Sequence, residues 1–336
     1  MTQKKWDVHI TRKILQPALS MLSKECYVTI GKDGSQSTDK SKLLKQVENK
    51  HAILCTLLDK IDARVMDAAG ERLRVISSYS TGVDHIDTKE ATKRGIYVTC
   101  TGDVLTESTA DLAFALIIAT PRRIIQGHDL VTRKKWIGGW DPELLLGSDI
   151  HGKTLGIIGL GRIGSAVARR ARGFDMKIYY YNQHDRNLLS EKMTGARLVN
   201  FDSLITNCDF LSIHCALNTK TYHMINKTNL RQMKPTAFLI NTARGHIINE
   251  LHLIKALQYK WIAGAGLDVF EREPPLKSNP LLKMENVVLL PHIGSATVST
   301  RTKMAEVAAN NLLLALHNRK PISPANPSVV KNNQLT

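Results

Sequence analysis

One stretch restricts the fold of this chain more than any other: "TLGIIGLGRIGSAVARRA", Thr154 to Ala171. Five β-prone residues run into Gly159-x-Gly161-x-x-Gly164, and a helical pattern follows at once. In a strand–turn–helix context the three glycines have separate jobs. Gly159 permits the tight turn, Gly161 lets backbone approach a ligand, and Gly164 lets the helix pack against the strand. The helix N-terminus then offers unpaired N–H groups and the positive end of its dipole to an anion. The pattern predicts a βαβ unit holding the pyrophosphate of a dinucleotide. Leu160, Arg162 and Ile163 line the same turn and are cofactor-binding candidates with the glycines.

The rest of the chain alternates in the same way. "WDVHITR", "CYVTIG", "AILCTLL", "LRVISSYS" and "GIYVTC" are strand candidates, with "DKSKLLKQVENK" and "IDARVMDAAG" as helices among them. Beyond Lys153, "TLGIIGLG", "MKIYYYN", "DFLSIHCAL", "TAFLINTA", "GAGLDVF" and "VVLLPH" are strands apolar on both faces, as in a parallel sheet covered by helices. The fold class is therefore α/β, with two doubly wound parallel-sheet domains, and 336 residues suit two domains. Between the blocks, "TESTADLAFALIIATPRR" predicts a helix capped by Thr106, ended by Pro121 and buried on every face. Residues 122–150, with Trp136 and Trp140, read as an irregular arm suited to packing on a partner chain. "RTKMAEVAANNLLLALHN" predicts a final amphipathic helix, and "KPISPANPSVVKNNQLT" a loose tail.

Composition narrows the function classes. Five cysteines without a CxxC pair predict reduced thiols, with no disulfide framework and no metal. The formal charge of +16 is spread along the chain, which predicts weak attraction for anions rather than specific nucleic-acid binding. The longest apolar run, "LAFALIIA", is too short for a bilayer, and no signal peptide is visible, so a cytoplasmic protein without membrane attachment is expected.

The second strand of a dinucleotide-binding unit reads the ribose. A carboxylate at its end favours NAD(H), because it bonds both ribose hydroxyls. In "KIYYYNQHDR" that position is Asn182, 18 residues after Gly164. A neutral amide does not repel a 2′-phosphate, and His184 and Arg186 are available to neutralise one. The pattern favours NADP(H) over NAD(H), with Gln183 also at the site and Asp185 opposing.

Three further motifs, "INTARG", "GLDVFEREP" and "LLPHIGSA", each follow an apolar strand, and strand C-termini line the ligand crevice of an open parallel sheet. They bring Arg244, Asp268, Glu273 and His292 to one side of the cofactor. Reduction of a 2-oxo acid needs a cation to hold the carboxylate and polarise the carbonyl, which the planar fork of Arg244 provides. It also needs an acid for the forming alkoxide, and His292 has a suitable intrinsic pKa. Glu273 is the candidate to orient His292 and stabilise its protonated form.

Together, "GLGRIG", "NTARG", "GLDVFEREP" and "PHIGSA", with "YSTGVDHID", "RGIYVTCTGDVLTESTADLAFALIIAT" and the "W-DPELLLG" arm, resemble the D-2-hydroxyacid dehydrogenases, most closely the glyoxylate/hydroxypyruvate reductases. The resemblance covers most of the chain. It implies Arg244, Glu273 and His292 as the catalytic set, with Thr81 and Gly82 as the loop holding the substrate carboxylate and Trp140 as a further substrate contact. It implies Thr109 near the cofactor phosphates and Asp268 beside the nicotinamide amide. Cys215, Ala216, Thr242, Ala243 and Gly294 join the cofactor set. It further implies a discontinuous substrate domain, 1–103 with 293–336, around a Rossmann domain, 104–292, and a homodimer joined through 106–150. Two positions depart from the family: Ala216 replaces a common proline, and Gln183 an arginine frequent in NADP-using relatives. The resemblance implies reduction of glyoxylate to glycolate and hydroxypyruvate to D-glycerate. Phosphite dehydrogenase is a sibling alternative, disfavoured because Thr81 stands where that enzyme has lysine, and 3-phosphoglycerate dehydrogenase is disfavoured for want of a regulatory domain. A dinucleotide-sensing corepressor-like scaffold is the alternative of another class.

Overall fold

The computed structural model describes residues 5–31, 39–183 and 186–329. In chain order its elements begin β1 (Trp6–Ile10), α1 (Gln16–Glu25), β2 (Cys26–Ile30), α2 (Lys40–Val47), β3 (Ala52–Cys55), α3 (Ala63–Ala69), β4 (Val75–Ser78), α4 (Thr88–Lys93), β5 (Tyr97–Thr99), α5 (Thr106–Ala119) and α6 (Ile124–Thr132). They continue β6 (Thr154–Ile158), α7 (Arg162–Arg172), β7 (Lys177–Tyr181), α8 (Leu188–Thr194), β8 (Arg197–Leu198), α9 (Phe201–Asn207), β9 (Phe210–Ile213), α10 (Lys227–Gln232), β10 (Phe238–Asn241), α11 (Glu250–Gln258), β11 (Gly264–Leu267), β12 (Val287–Leu289) and α12 (Val298–Leu316). Side-chain caps set many helix starts. Asp62, Asp87, Asn187, Asn200, Asn249 and Thr297 each accept a first-turn amide that the helix itself leaves unpaired.

The chain divides into two compact units, residues 1–105 with 295–336, and residues 106–294. The first carries a parallel sheet of order β2-β1-β3-β4-β5. Val8, Ile10, Leu54 and Val75 pack on α1 and α12 on one face, and Ile53, Ile76 and Val98 pack on α2, α3 and α4 on the other. The C-terminal stretch is not loose as far as it is described. Ala325 donates to the Val98 carbonyl at 2.7 Å, and Asn326 accepts from the Val98 amide at 2.8 Å, so the stretch seals the open edge of β5.

The second unit is a seven-stranded parallel sheet, β12-β11-β10-β9-β6-β7-β8. Strand order reverses at β6, which pairs with β7 on one side and β9 on the other. That reversal opens a crevice at the strand C-termini, where ligands bind in folds of this kind. Helices α5 and α7 cover one face, and α9, α10 and α11 the other.

Two sequence expectations are corrected here. Helix α5 is not buried all round: Glu107 and Asp111 are exposed on the outer face and pair with Arg169 and Arg170 of α7 at 2.6–2.9 Å. The arm is not wholly irregular, since α6 occupies its first third. The short edge strand β8 was not anticipated. Among the described residues, no helix is long and apolar enough to cross a membrane.

Candidate active site

The turn between β6 and α7 has the geometry its glycines predict. Gly159 has φ +96°, and a Cβ there would lie 2.8 Å from the Cys215 amide nitrogen at the end of β9. A Cβ on Gly164 would overlap the Gly159 carbonyl oxygen and stand 3.1 Å from Ile157 Cγ2. Gly161 differs, because a Cβ there would meet nothing within 4 Å. Leu160 is buried, and both of its backbone polar groups are tied down. Its amide donates to Asn182 Oδ1 and its carbonyl accepts from Asn187 Nδ2, each at 2.8 Å. Asn182 therefore stands directly after β7 while using its oxygen to hold the turn between β6 and α7. Arg162 is exposed, and Ile163 and Gln183 are half-buried. Arg186 pairs with Glu191 at 2.8 Å, and Glu191 also accepts from the Tyr180 hydroxyl at 2.6 Å. His184 lies outside the described residues. Around the same strand ends, the Ala216 carbonyl accepts from Thr221 Oγ1 at 2.8 Å.

Arg244, Asp268, Glu273 and His292 follow β10, β11 and β12, three adjacent strands of one sheet. His292 Nδ1 lies 2.7 Å from Glu273 Oε2, and the Phe270 amide donates to Glu273 Oε1 at 3.1 Å. Burial acts to raise the Glu273 carboxyl, but the His292 bond and charge, the Phe270 amide and the Arg244 charge outweigh it and hold the group below its ordinary value. The Arg244 turn is pinned by Asn241, whose Nδ2 donates to the Arg244 carbonyl at 2.9 Å and whose Oδ1 accepts from the Ala243 amide at 3.0 Å. With Nδ1 committed to Glu273, Nε2 is the nitrogen through which His292 can exchange a proton with a ligand.

Asp268, placed at the strand end by the sequence, holds the turn after β12 in a way that sequence reasoning did not show. Its fully buried carboxylate accepts from the Ile293 amide at 2.7 Å and the Gly294 amide at 2.8 Å, and its carbonyl accepts from the His292 amide at 2.9 Å. Burial raises its carboxyl above the ordinary range despite those amides. Asp268 thus fixes the turn that carries His292. A Cβ on Gly294 would lie 3.3 Å from both Asp268 Oδ2 and Thr109 Cγ2, so this turn also seats against α5. The available signal was an aspartate ending a buried strand beside two others. Asn187, the second tether of Leu160, was also missed, because its cap role hides its free amide.

Thr81 and Gly82 belong to the first unit. Thr81 Oγ1 donates to the Gly102 carbonyl at 2.9 Å, and Ser80 Oγ donates to the Gly82 carbonyl, which leaves the backbone amides of the loop outside those bonds. Trp140 is 83% exposed on the arm.

Residues 114–294 match the family described as D-isomer specific 2-hydroxyacid dehydrogenase, NAD binding domain. A glyoxylate reductase of Thermofilum pendens is 47% identical over 328 residues, covering 98% of this chain and 96% of that protein. A crystal structure of a Thermus thermophilus protein aligns with a TM-score of 0.87 at 42% identity, over 95% of this chain and 99% of that one. An NADPH-dependent glyoxylate/hydroxypyruvate reductase from Sinorhizobium meliloti, in complex with NADP and malonate, aligns with a TM-score of 0.85 at 31% identity, over 97% and 98% of the two chains. The chain belongs to the D-isomer specific 2-hydroxyacid dehydrogenase family. It is an NAD(P)-dependent oxidoreductase that reduces 2-oxo acids.

The residues of the second unit fit a nicotinamide dinucleotide. Open space stands where Gly161 lacks a Cβ, directly before the N-terminus of α7. Thr242, at the end of β10, has a buried hydroxyl oxygen with no protein partner. Gly159, Gly161, Gly164, Thr242 and the segment after β9 are the residues to hold the group.

Proposed function

We propose that this enzyme reduces glyoxylate to glycolate and hydroxypyruvate to D-glycerate, with NADPH preferred over NADH and His292 as the proton donor. The observation that carries the proposal is the 2.7 Å contact of His292 Nδ1 with Glu273, which follow the next two strands along the sheet, β12 and β11, from the strand that delivers Arg244, β10. When bound, the reduced nicotinamide supplies the hydride. Arg244 holds the substrate carboxylate through its planar fork and polarises the carbonyl. His292 delivers its Nε2 proton to the oxygen that becomes the hydroxyl, and Glu273 keeps the ring oriented through its bond to Nδ1. Asp268 orients the turn.

Support for NADPH comes from Asn182, a neutral side chain whose oxygen is committed to Leu160, and from the NADPH dependence of the Sinorhizobium relative. Arg186 is engaged by Glu191, so His184 and Gln183 are the remaining candidates for the 2′-phosphate. The substrate domain is assigned to the first unit and the dinucleotide domain to the second. A homodimer through α5, α6 and the arm would cover Val131, Ile137, Trp140 and Leu146, which are 57–89% exposed. Sedimentation that gives a monomer at micromolar concentration would remove that part of the proposal, including Trp140 as a substrate contact.

The deciding experiment is a steady-state screen of glyoxylate, hydroxypyruvate, pyruvate and phosphite with both cofactors. The highest kcat/KM should fall on glyoxylate or hydroxypyruvate with NADPH. A preference for phosphite, or for NADH by tenfold, would refute the corresponding part.

A further inference from the structure

Glu273 stands on a bend, residues 270–273, that is held from outside by side chains away from the His292 ring. Glu250, the first residue of α11, and Glu271 exchange hydrogen bonds. The Glu250 amide donates to Glu271 Oε1 at 3.1 Å, and the Glu271 amide donates to Glu250 Oε2 at 3.1 Å. Asn279 Nδ2 donates to the other Glu250 oxygen at 2.8 Å. His223 Nε2 lies 2.6 Å from Glu271 Oε1. Asn249 accepts the His252 amide as the cap of α11, which turns its Nδ2 toward His223 Nδ1 at 3.3 Å. Beneath this cluster sits Gly245, the residue after Arg244. A Cβ there would overlap the Phe270 carbonyl and the Glu271 amide nitrogen. The Arg244 turn and the Glu273 bend therefore rest on one shared peptide, between Phe270 and Glu271.

We propose that Glu271 and Glu250 are a positioning pair for the reaction: the Glu250 carboxylate holds the amide of the peptide on which both the Arg244 turn and the Glu273 bend bear, and the Glu271 carboxylate holds the Glu250 amide and so keeps that carboxylate in place. The proposal rests on the Arg244–Glu273–His292 reading given above. Bringing two carboxylates together opposes their like charge, and neutral side chains suffice for ordinary turns. Carboxylate-to-amide bonds are the shorter and stronger kind, and they hold a bend more tightly. The N-terminal dipole of α11 offsets the charge of the pair, and the His223 ring, whose Nδ1 faces the Asn249 amide donor, turns its Nε2 to Glu271. A displacement of about 1 Å in a catalytic group can cost a hundredfold in rate, so a stiff bend here acts on turnover.

The test compares Glu271→Ala, Glu271→Gln, Glu273→Gln and the double variant Glu271→Ala/Glu273→Gln. Glu271→Ala should lower kcat by about tenfold or more, with the NADPH Kd, read by fluorescence, within roughly twofold of wild type. Glu271→Gln keeps an oxygen for the Glu250 amide and should recover most of kcat. On Glu273→Gln, Glu271→Ala should cost far less than on wild type, because one of its targets is already gone. Amide exchange across residues 270–271 should quicken in Glu271→Ala and not in Glu271→Gln, a readout independent of turnover. Wild-type kcat in Glu271→Ala, a loss matched by weaker cofactor binding, or full additivity with Glu273→Gln would overturn the proposal. If Glu271→Ala does not fold, Asn279→Ala, which frees Glu250 alone, should lower kcat severalfold at unchanged Kd, and an unchanged kcat there would overturn it equally. Absence of 2-oxo-acid turnover in the wild-type enzyme would refute the proposed function instead, and the exchange measurement would still judge the positioning role.

Discussion

Gly161→Ala and Gly164→Ala add the same methyl group at two positions of one turn, and opposite consequences are expected. At Gly164 the new Cβ overlaps the Gly159 carbonyl oxygen and sits 3.1 Å from Ile157 Cγ2. Carbon pairs rest at about 3.5–4.0 Å, so α7 must retreat from β6 by roughly 0.5–1 Å. Overpacking on this scale costs about 1–3 kcal/mol, and the better helix propensity of alanine returns up to ~1 kcal/mol. The Gly159 carbonyl is backbone and cannot rotate aside, so the cost lies at the upper end, and the net loss is about 2 kcal/mol, or a fall in Tm of roughly 4–8 °C for a domain of this size. At Gly161 the Cβ meets no atom within 4 Å, and φ of −86° suits any residue. The apo protein should melt at or slightly above the wild-type Tm. The methyl instead fills the space that a pyrophosphate must enter, and the Kd for NADPH should rise about tenfold or more, which is ~1.4 kcal/mol. Thermal melts without cofactor and NADPH fluorescence titrations separate the two effects. Wild-type NADPH affinity in Gly161→Ala, or a wild-type melt in Gly164→Ala, would refute the reasoning.

If His292 is the proton donor, His292→Ala should lower kcat by about 10²–10⁴-fold with cofactor affinity nearly intact, and weakened cofactor binding at normal turnover would contradict that role. His214, bonded to Ser212 Oγ at 2.8 Å, has its pKa pushed by burial from 6.5 down to about 3. Between those values the unfolded chain binds more protons than the folded one, so stability is full above about pH 6.5 and falls as pH drops toward 3. The loss from this one group is bounded at about 5 kcal/mol. His214→Gln should flatten urea-unfolding stability between pH 7 and pH 4, and an unchanged pH slope would show that His214 is not the buried neutral group.

Apart from β8, whose two residues Arg197 and Leu198 carry no apolar pattern, the strands of both sheets were legible as short β-prone runs, most of them apolar. The phosphate turn was legible because three glycines at that spacing, between a strand and a helix, each meet a separate steric demand of a bound pyrophosphate. What escaped the sequence depends on distant partners. The acidic side of α5 looks uncommitted until α7 brings Arg169 and Arg170 to Glu107 and Asp111. Helix α6 starts without a side-chain cap, after Arg123 at φ +51°, and carries Gly127 in its middle, so local signals do not announce it. The C-terminal stretch has loop composition, yet Asn326 bonds the backbone of both Ile96 and Val98. In the site, Arg244, Glu273 and His292 were legible as strand-end residues of complementary chemistry. The way their turns are held was not, because carboxylate-to-amide bonds leave no periodicity.

The His292 turn shows why such bonds matter. His292 has φ +55°, a left-handed conformation that costs a residue with a Cβ roughly 1–2 kcal/mol. The turn persists because Asp268 over-determines it, with two amides on its carboxylate and a third on its carbonyl. Hydrogen bonds to a charged group contribute about 1.5–3 kcal/mol each, enough to outweigh the strain. Asp268→Asn preserves shape but replaces one accepting oxygen with a donor. One of the Ile293 and Gly294 amides would then face an NH₂ group in a buried place and lose its partner, at a cost of about 1–3 kcal/mol. The variant should unfold at correspondingly lower urea and turn over more slowly, as the histidine ring leaves its register with Glu273. Wild-type stability and kcat in Asp268→Asn would mean that Glu273 alone holds His292, and that the conformation of the turn is set by the Pro291 and Gly294 backbone rather than by the carboxylate beneath it.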